Sequence, residues 1–243
     1  MNLVIDIGNT TVKGAVFENN RLITSNRKDS LNDLLPYLGY YLSSIQQCIV
    51  STVRDLSRDE LKNVKKHPFK ILFLDHQTPV PIENLYRGKS TLGYDRLAAA
   101  VGASNIFPLA NVLVIDAGTA ITYDFINDKN QYLGGNISPG IETRFKALHQ
   151  FTGRLPLVKI NDNYMEIGDK TEEAIRSGVQ QGVIFEVEGY INHFKEKFSD
   201  LKIVVSGGDA IFFDKRLKNS IFVNQNLVLT GLNRILEYNA EKI

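Results

Sequence analysis

With 243 residues, 43% of them hydrophobic and 23% charged, the chain is long enough for one large or two small domains around a buried core. Its 28 basic and 27 acidic residues nearly cancel, which argues against a nucleic-acid-binding protein or one held to an anionic membrane by charge. The single cysteine, Cys48, excludes an internal disulfide, Asp6 comes too early for a signal peptide, and no apolar run approaches the roughly 18 residues that span a bilayer, so we expect a cytoplasmic protein.

Short β-branched apolar runs, bounded by Gly, Asp, Ser or Asn, predict buried strands at residues 3–7, 48–53, 71–74, 112–115 and 203–205. Residues 11–17 predict a further strand, with residues 18–21 as the turn of a hairpin. The amphipathic stretches between these runs predict helices at 30–46, 94–105, 171–198 and 227–238. Strands that alternate with helices indicate an α/β fold.

One hexapeptide is nearly repeated in the chain. LVIDIG at residues 3–8 returns as LVIDAG at 113–118. Two similar buried strands would produce this match, and so would a duplication, which is favoured because both copies end a strand and precede a second strand-like run. A duplication predicts a boundary near residues 105–111, where Pro108 ends a helix, and therefore an N-terminal lobe of residues 1–108 and a C-terminal lobe of 109–243.

The turn after the first copy has the composition of a phosphate-binding loop. Its residues are Asp6, Ile7, Gly8, Asn9, Thr10, Thr11, Val12 and Lys13. Glycine allows a backbone to approach a ligand closely, short polar residues present N–H groups to phosphate oxygens, and Lys13 adds a positive charge. Asp6 would face a phosphate through Mg²⁺ or its waters. An ordinary hairpin turn rich in Asn, Gly and Thr remains the alternative.

Two later turns extend the pattern. Asp116 begins DAGTA, which repeats the first loop, and Ser206 begins SGGD, whose two glycines would let adenine or ribose lie against the backbone. A simple glycine turn at the end of a strand explains the SGGD sequence equally well. The chain contains neither GxxxxGK[ST] nor a GxGxxG after a strand, which argues against a P-loop and a dinucleotide fold.

A candidate base lies at Gly93-Tyr94-Asp95-Arg96, directly before an alanine-rich helix. A carboxylate at a helix N-terminus is favoured by the helix dipole, and it can accept the proton of a substrate hydroxyl during phosphoryl transfer. Arg96 could bind a carboxylate or phosphate through two hydrogen bonds. A helix-capping Asp beside a surface Arg is the alternative.

Taken in order, the motifs resemble one enzyme family over the whole chain. They are DIGNTTVKG from Asp6, GYDR from Gly93, DAGTAITYD from Asp116, GGNISPGIETRFKAL from Gly134, GDKTEEAIRSG from Gly168, SGGD from Ser206 and LVLTGL from Leu227. Paired acidic glycine turns and a late glycine pair look like the acetate kinase, hexokinase, Hsp70 and actin superfamily. Within it, the ordered series resembles type III pantothenate kinase.

The resemblance implies two RNase H-like α/β lobes with the active site in the cleft between them. It implies ATP-dependent phosphorylation of pantothenate to 4′-phosphopantothenate, the first step of coenzyme A synthesis, by a homodimer without nucleic-acid or membrane partners. By motif, Asp95 matches the catalytic base, Thr119 an ATP contact and Asp116 the ligand of a monovalent cation, K⁺ or NH₄⁺. Mg²⁺ is expected with the nucleotide.

The resemblance also implies the residues that bind pantothenate. They are Tyr86, Gly93, Tyr94, Asp95, Arg96 and Thr171, of which Thr171 would come from the neighbouring subunit. Two alternatives stay open at this point. One is a kinase or phosphatase of the same superfamily with another small substrate, and the other is a non-enzymatic regulatory protein of the Bvg accessory factor type.

Overall fold

The computed structural model describes residues 1–8 and 11–240, which form two compact units. The first unit comprises Met1–Pro108, Asn130–Leu133 and the chain from Asn226 onward. The second comprises Leu109–Lys129 and Gly134–Gln225. The predicted boundary at 108/109 coincides with the first division, but the last helix joins the first unit rather than the predicted lobe of residues 109–243.

The first unit contains a five-stranded sheet in the order β3-β2-β1-β4-β5. Its strands are β1 (Asn2–Ile7), β2 (Val12–Glu18), β3 (Arg21–Lys28), β4 (Gln47–Thr52) and β5 (Lys70–Phe73). The first three strands are antiparallel neighbours, whereas β1, β4 and β5 run parallel. The turn between β2 and β3 holds Asn19 and Asn20 at positive φ, which is the geometry that suits a two-residue hairpin turn.

Both faces of this sheet are buried. On one face, Leu3, Ile5 and Ile7 of β1 pack in a cluster with residues of α1 (Leu31–Tyr37) and with Val64 of α3 (Arg58–Lys65). Between these two helices lies the short α2 (Gly39–Leu42). The single helix predicted at 30–46 is therefore two helices: α1, with Pro36 in its last turn, ends at Tyr37, and α2 begins at Gly39.

The opposite face is covered by α4 (Tyr94–Ile106) and α8 (Leu227–Tyr238), and α8 contacts β1, β2 and β4. The two helices cross at glycines: a Cβ on Gly102 would lie 2.5 Å from the carbonyl oxygen of Leu227, and one on Gly231 would lie 1.8 Å from that of Ala98. This close crossing explains why the C-terminal helix belongs with the first unit.

The second sheet has the order β11-β10-β7-β8-β9-β6. Its strands are β6 (Glu83–Asn84), β7 (Val112–Ala117), β8 (Ala120–Ile126), β9 (Gln131–Pro139), β10 (Lys202–Ser206) and β11 (Phe222–Val223). β6 pairs with Gln131 and Tyr132, which are residues of the first unit. The helices of the second unit are α5 (Ile141–Phe151), α6 (Thr171–Lys197) and α7 (Ala210–Asp214). Its core packs β7, β8 and β10 against these helices.

The α/β prediction is confirmed, and the predicted strands and helices are found within a few residues of their expected bounds, apart from the divided helix at 30–46. Across the residues that the structure describes, no helix is both long and apolar enough to cross a membrane.

Candidate active site

An acidic centre forms in the first unit where β1 ends. Asp6 is paired in register with Lys13 on β2 and with Ser51 on β4, so the three side chains lie on one face of the sheet. Asp95, in the first turn of α4, lies close enough to interact with Asp6. Burial, and then the negative charge of Asp95, raise the pKa of Asp6 from 3.8 to about 6, while Lys13 opposes the rise.

Ser51 completes the surroundings of Asp6. Its side chain is fully buried, and its proximity lowers the pKa of Asp6 slightly. The geometry nevertheless falls short of a hydrogen bond, and Ser51 Oγ has no hydrogen-bond partner among the described residues. Sequence reasoning missed Ser51, although a polar residue at the carboxyl end of an apolar parallel strand is the signal that could have indicated it.

Asp95 is oriented by its own helix. Its Oδ1 accepts a hydrogen bond from Arg96 N at 2.8 Å. Gly93 is the N-cap of α4, and a Cβ there would lie 2.4 Å from Asp95 Oδ1, so glycine leaves the space that the carboxylate occupies. Asp95 and Tyr94 are both half-buried.

The structure brings two predicted substrate residues together. Arg96 is 7% exposed, and its guanidinium carbon lies 5.7 Å from the centre of the Tyr86 ring, which is within the range of a cation–π contact. The backbone N–H of Tyr86 donates to Asn84 Oδ1 at 3.0 Å, and its ring lies 6.2 Å from that of Tyr132. Tyr86, Gly93, Tyr94, Asp95 and Arg96 therefore belong to one region of the first unit.

The first predicted phosphate loop is described only at its ends, because Asn9 and Thr10 lie outside the described residues. Gly8 N donates to Thr11 O at 3.0 Å, which closes a tight turn. Gly8 does not have a positive φ; among the described glycines only Gly134 and Gly207 do. A Cβ on Gly8 would lie 3.2 Å from Thr11 O.

A cation that sequence reasoning missed adjoins this loop. Arg27 Nε donates to Thr11 Oγ1 at 3.1 Å, and Arg27 is the register partner of Lys13 on the next strand. No local pattern marks Arg27, because only the pairing of β2 with β3 brings it to the loop. Two positive charges thus flank the turn after β1.

The second unit repeats the hairpin around Asp116, at the end of β7. Gly118 N donates to Ala120 O at 3.0 Å. The exposed Thr119 has a carbonyl oxygen that accepts from Gly140 N at 3.0 Å and from Thr143 Oγ1 at 2.7 Å, so the start of α5 holds the turn in place.

The late glycine pair packs against the same turn. Gly207 has φ +91°, and a Cβ there would lie 2.1 Å from Ala117 O and 2.6 Å from Asp116 Oδ1. Gly208 has open space where a side chain would be. The next residue, Asp209, donates its N–H to Ala117 O at 3.0 Å.

A cavity of about 320 Å³ lies beside Asp209. Its walls combine apolar and charged side chains, namely Ile141, Glu142, Phe145, Lys146, Leu157, Val158, Lys159 and Ile160. Burial, with a smaller effect of Glu142, raises the pKa of the Asp209 carboxyl above its usual range. Thr171, also in the second unit, is the exposed first residue of α6.

In residues 1–8 and 11–240, no group of three or more His, Cys, Asp or Glu side chains could hold a metal ion. Mg²⁺ is commonly held by one or two carboxylates together with substrate phosphates. Asp6, with its carboxylate beside Asp95 and the unpartnered hydroxyl of Ser51, fits such a shared site.

A family model described as "Type III pantothenate kinase" matches residues 2–193. The chain belongs to the type III pantothenate kinase family. Three proteins with that name are similar over nearly their whole length: one from Bacteroides fragilis at 48% identity (100% of both chains), one from Phocaeicola vulgatus at 46% (98% of this chain, 99% of the other) and one from Christiangramia forsetii at 46% (98% and 99%).

Solved structures show the same fold as this pantothenate kinase family member. A Campylobacter jejuni protein assigned to the Baf family of transcriptional activators matches with a TM-score of 0.63 at 24% identity, over 98% of this chain and 99% of the other. Component A of (R)-2-hydroxyglutaryl-CoA dehydratase from Acidaminococcus fermentans matches with a TM-score of 0.52 at 12% identity, over 99% and 98%. At these identities the likeness shows the fold alone, and the predicted actin-like α/β fold is confirmed.

Proposed function

We propose that Asp95 is the general base of this pantothenate kinase, taking the proton of the pantothenate alcohol as the γ-phosphoryl group of ATP is transferred. Membership of the family supports the activity, which is the ATP-dependent phosphorylation of pantothenate, the first step of coenzyme A synthesis. The observation that carries the proposal is the position of Asp95: it is in the first turn of α4, beside Asp6, with Oδ1 bonded to the N–H of Arg96. A fixed carboxylate of this kind suits proton transfer.

The nucleotide's phosphates are bound in this proposal by the turn after β1, from Asp6 to Lys13, and by Thr119. Lys13 and Arg27 supply positive charge at the first turn, and the N–H groups of both turns supply donors. Asp6 would hold Mg²⁺ through its waters, and the ion would neutralise charge on the phosphates. The raised pKa of Asp6 supports this, because a carboxylate buried beside another carboxylate is stabilised by a nearby cation.

The adenosine end would bind at the SGGD turn and in the cavity beside Asp209. The open face of Gly208 supports this, since a flat ring can lie against backbone that carries no side chain. The apolar wall of the cavity, with Ile141, Phe145 and Leu157, suits an aromatic base.

Pantothenate would be recognised by Tyr86, Gly93, Tyr94, Asp95 and Arg96, with Thr171 contributed by a second subunit. Arg96 carries a permanent charge that suits the carboxylate of pantothenate, and the Tyr86 ring helps to hold it. A homodimer is supported by large apolar side chains that the single chain leaves uncovered around α6: Phe185 is 68% exposed and Ile167, before the helix, 82%.

A monovalent cation, K⁺ or NH₄⁺, would bind at Asp116. The neighbouring strand supports this proposal, because Thr122 is the register partner of Asp116 and its buried Oγ1 has no hydrogen-bond partner among the described residues. A carboxylate oxygen and a hydroxyl oxygen are both suitable ligands for such a cation.

The test of the base is ADP release with ATP, pantothenate, Mg²⁺ and K⁺ present. We expect Asp95→Asn to lower kcat by about 10²–10⁴-fold, because a positioned base contributes that much, with little change in ATP binding. Asp59→Asn is the matched control, since Asp59 is likewise an Asp in the first turn of a helix of this unit. Full turnover by Asp95→Asn would refute the assignment of the base, and absence of pantothenate-dependent turnover in the unmodified protein would refute the activity.

A further inference from the structure

Three buried side-chain atoms in the described part of the chain have no hydrogen-bond partner: Ser51 Oγ, His67 Nε2 and Thr122 Oγ1. Two of the three are register partners of the acidic residues that end β1 and β7, because Ser51 pairs with Asp6 and Thr122 with Asp116. Buried polar atoms are almost always hydrogen-bonded in folded proteins. The position of these two hydroxyl groups beside the two carboxylates indicates that each gains a hydrogen-bond or metal partner when a ligand binds.

Ser51 is the better defined of the two. The strand QCIVST is apolar from Cys48 to Val50, and Ser51 is as fully buried as they are. Its backbone is fixed by the parallel pairing of β4 with β1, so the hydroxyl cannot move out to water without breaking the sheet. An alanine would fill this place without leaving a polar atom unsatisfied.

We propose that Ser51 is a positioning residue for Asp6, whose hydroxyl donates to the Asp6 carboxylate in the nucleotide-bound enzyme and sets the direction in which that carboxylate faces the metal–phosphate. The inference deepens the proposed function and rests on the role given there to Asp6. In the free protein the two groups are close, but their geometry is outside that of a hydrogen bond. The bond would join two residues that are direct neighbours across the paired strands.

The hypothesis that Ser51 is purely structural and the hypothesis that it positions Asp6 predict opposite effects of Ser51→Ala on stability and on function. Removing a hydroxyl that makes a hydrogen bond destabilises a protein, whereas removing one that is buried without a partner leaves stability unchanged or raises it. If the hydroxyl acts only when nucleotide is bound, the same substitution must weaken binding of the metal–nucleotide and slow turnover. Stability and function would therefore change in different directions.

The experiment compares four full-length variants in urea unfolding without ligand, in calorimetric titration with Mg²⁺–ATP and in steady-state turnover. We expect Ser51→Ala to unfold at the same or a higher urea concentration, and to bind Mg²⁺–ATP and turn over at least about tenfold more weakly and more slowly, as is usual for the loss of one hydrogen bond to a charged group. Ser51→Thr, which keeps the hydroxyl, should recover part of the binding.

Ser104→Ala is the matched control. Ser104 Oγ donates to Asn130 Oδ1, and nine residues place it roughly 14 Å along α4 from Asp95. We expect this variant to lose stability and to keep its nucleotide affinity and turnover.

Two results would overturn the inference: Ser51→Ala that binds and turns over like the unmodified protein, or Ser51→Ala that loses free-state stability in the manner of Ser104→Ala. The fourth variant, Asp6→Asn, separates this failure from that of the proposed function. If Asp6→Asn weakens Mg²⁺–ATP binding while Ser51→Ala does not, only the role of Ser51 is wrong. If Asp6→Asn itself binds Mg²⁺–ATP normally, the role proposed for Asp6 is wrong, and that of Ser51 with it.

Discussion

The two acidic hairpins of the molecule share a scaffold and differ in what surrounds it. In each, an aspartate precedes a tight glycine turn, Asp6 at the end of β1 and Asp116 at the end of β7. Each aspartate also has a buried serine as its partner on a parallel strand, Ser51 or Ser206. The turn between paired residues is one residue shorter in the second hairpin, since Ile7 pairs with Val12 but Ala117 pairs with Ile121.

The residues around Asp6 differ in charge from those around Asp116. The antiparallel partner of Asp6 is the charged Lys13, whereas that of Asp116 is Thr122. A second carboxylate, that of Asp95, lies near Asp6, while the turn after Asp116 is packed against glycine backbone. Nearly the same strand and turn can therefore form either a charged centre or a turn packed against glycine backbone, depending on which residues neighbouring elements supply.

The largest expected effect tests the rigidity of the second hairpin. We expect Gly207→Ala to lower the free energy of unfolding by more than about 3 kcal/mol, because its Cβ would overlap Ala117 O and because φ is +91°. Gly8→Ala, in the first hairpin, should lower it by less than about 1 kcal/mol, since φ is not positive there. Urea unfolding measures both. Equal losses would mean that the two turns are equally constrained.

The roles proposed for Asp6 and Asp116 are tested by comparing how each variant depends on Mg²⁺ and on K⁺. We expect Asp6→Asn to reduce turnover about 10²-fold and to raise the Mg²⁺ concentration needed for half-maximal rate, because the waters of Mg²⁺ would lose the carboxylate proposed to hold them. Asp116→Asn should instead remove most of the activation by K⁺ and leave the Mg²⁺ response near normal. Titrations of each ion at saturating ATP and pantothenate separate the two. Loss of both responses in either variant would contradict the roles proposed for the two residues.

The buried carboxyl of Asp6 should make the stability of the protein depend on pH. The pKa of Asp6 is raised to about 6 in the folded protein from 3.8, so the folded form binds more protons, and stability from this group is lost as pH rises from about 4 to above 6. The loss should reach about 3 kcal/mol by pH 7.5 in the ligand-free protein, and about 1.4 kcal/mol of it should fall between pH 5 and 7.5. Asp6→Asn should remove it and be more stable than the unmodified protein at pH 7.5. Urea unfolding at pH 5 and 7.5 gives the difference, and an Asp6→Asn variant that is less stable at pH 7.5 would refute the sign.

Sequence alone was sufficient for the elements that are locally encoded. β1, β4, β7 and β10 are buried parallel strands and read as continuous apolar runs, and α8 has the predicted bounds. The edge strand β3, with its polar sequence RLITSNRK, has no such signal. For the site, motifs predicted Asp6, Asp95 and Asp116. Arg27 depends on the pairing of β2 with β3, which no local pattern contains, and Ser51 has only the weak signal of a polar residue that ends an apolar strand.

The smallest expected effect concerns the other unpartnered hydroxyl. Thr122→Val keeps the shape of the side chain and removes Oγ1, which is buried beside Asp116 without a partner among the described residues. We expect stability to be unchanged or slightly higher, and the K⁺ concentration for half-maximal activation to rise about 2–5-fold, because one neutral oxygen donor is lost while the carboxylate remains. Thr122→Ser, which keeps the oxygen, is the matched control and should stay near the unmodified value. If Thr122→Val leaves K⁺ activation unchanged while Ser51→Ala weakens nucleotide binding, the unpartnered hydroxyl has a role in the charged hairpin only, and the two hairpins differ more than their shared scaffold suggests.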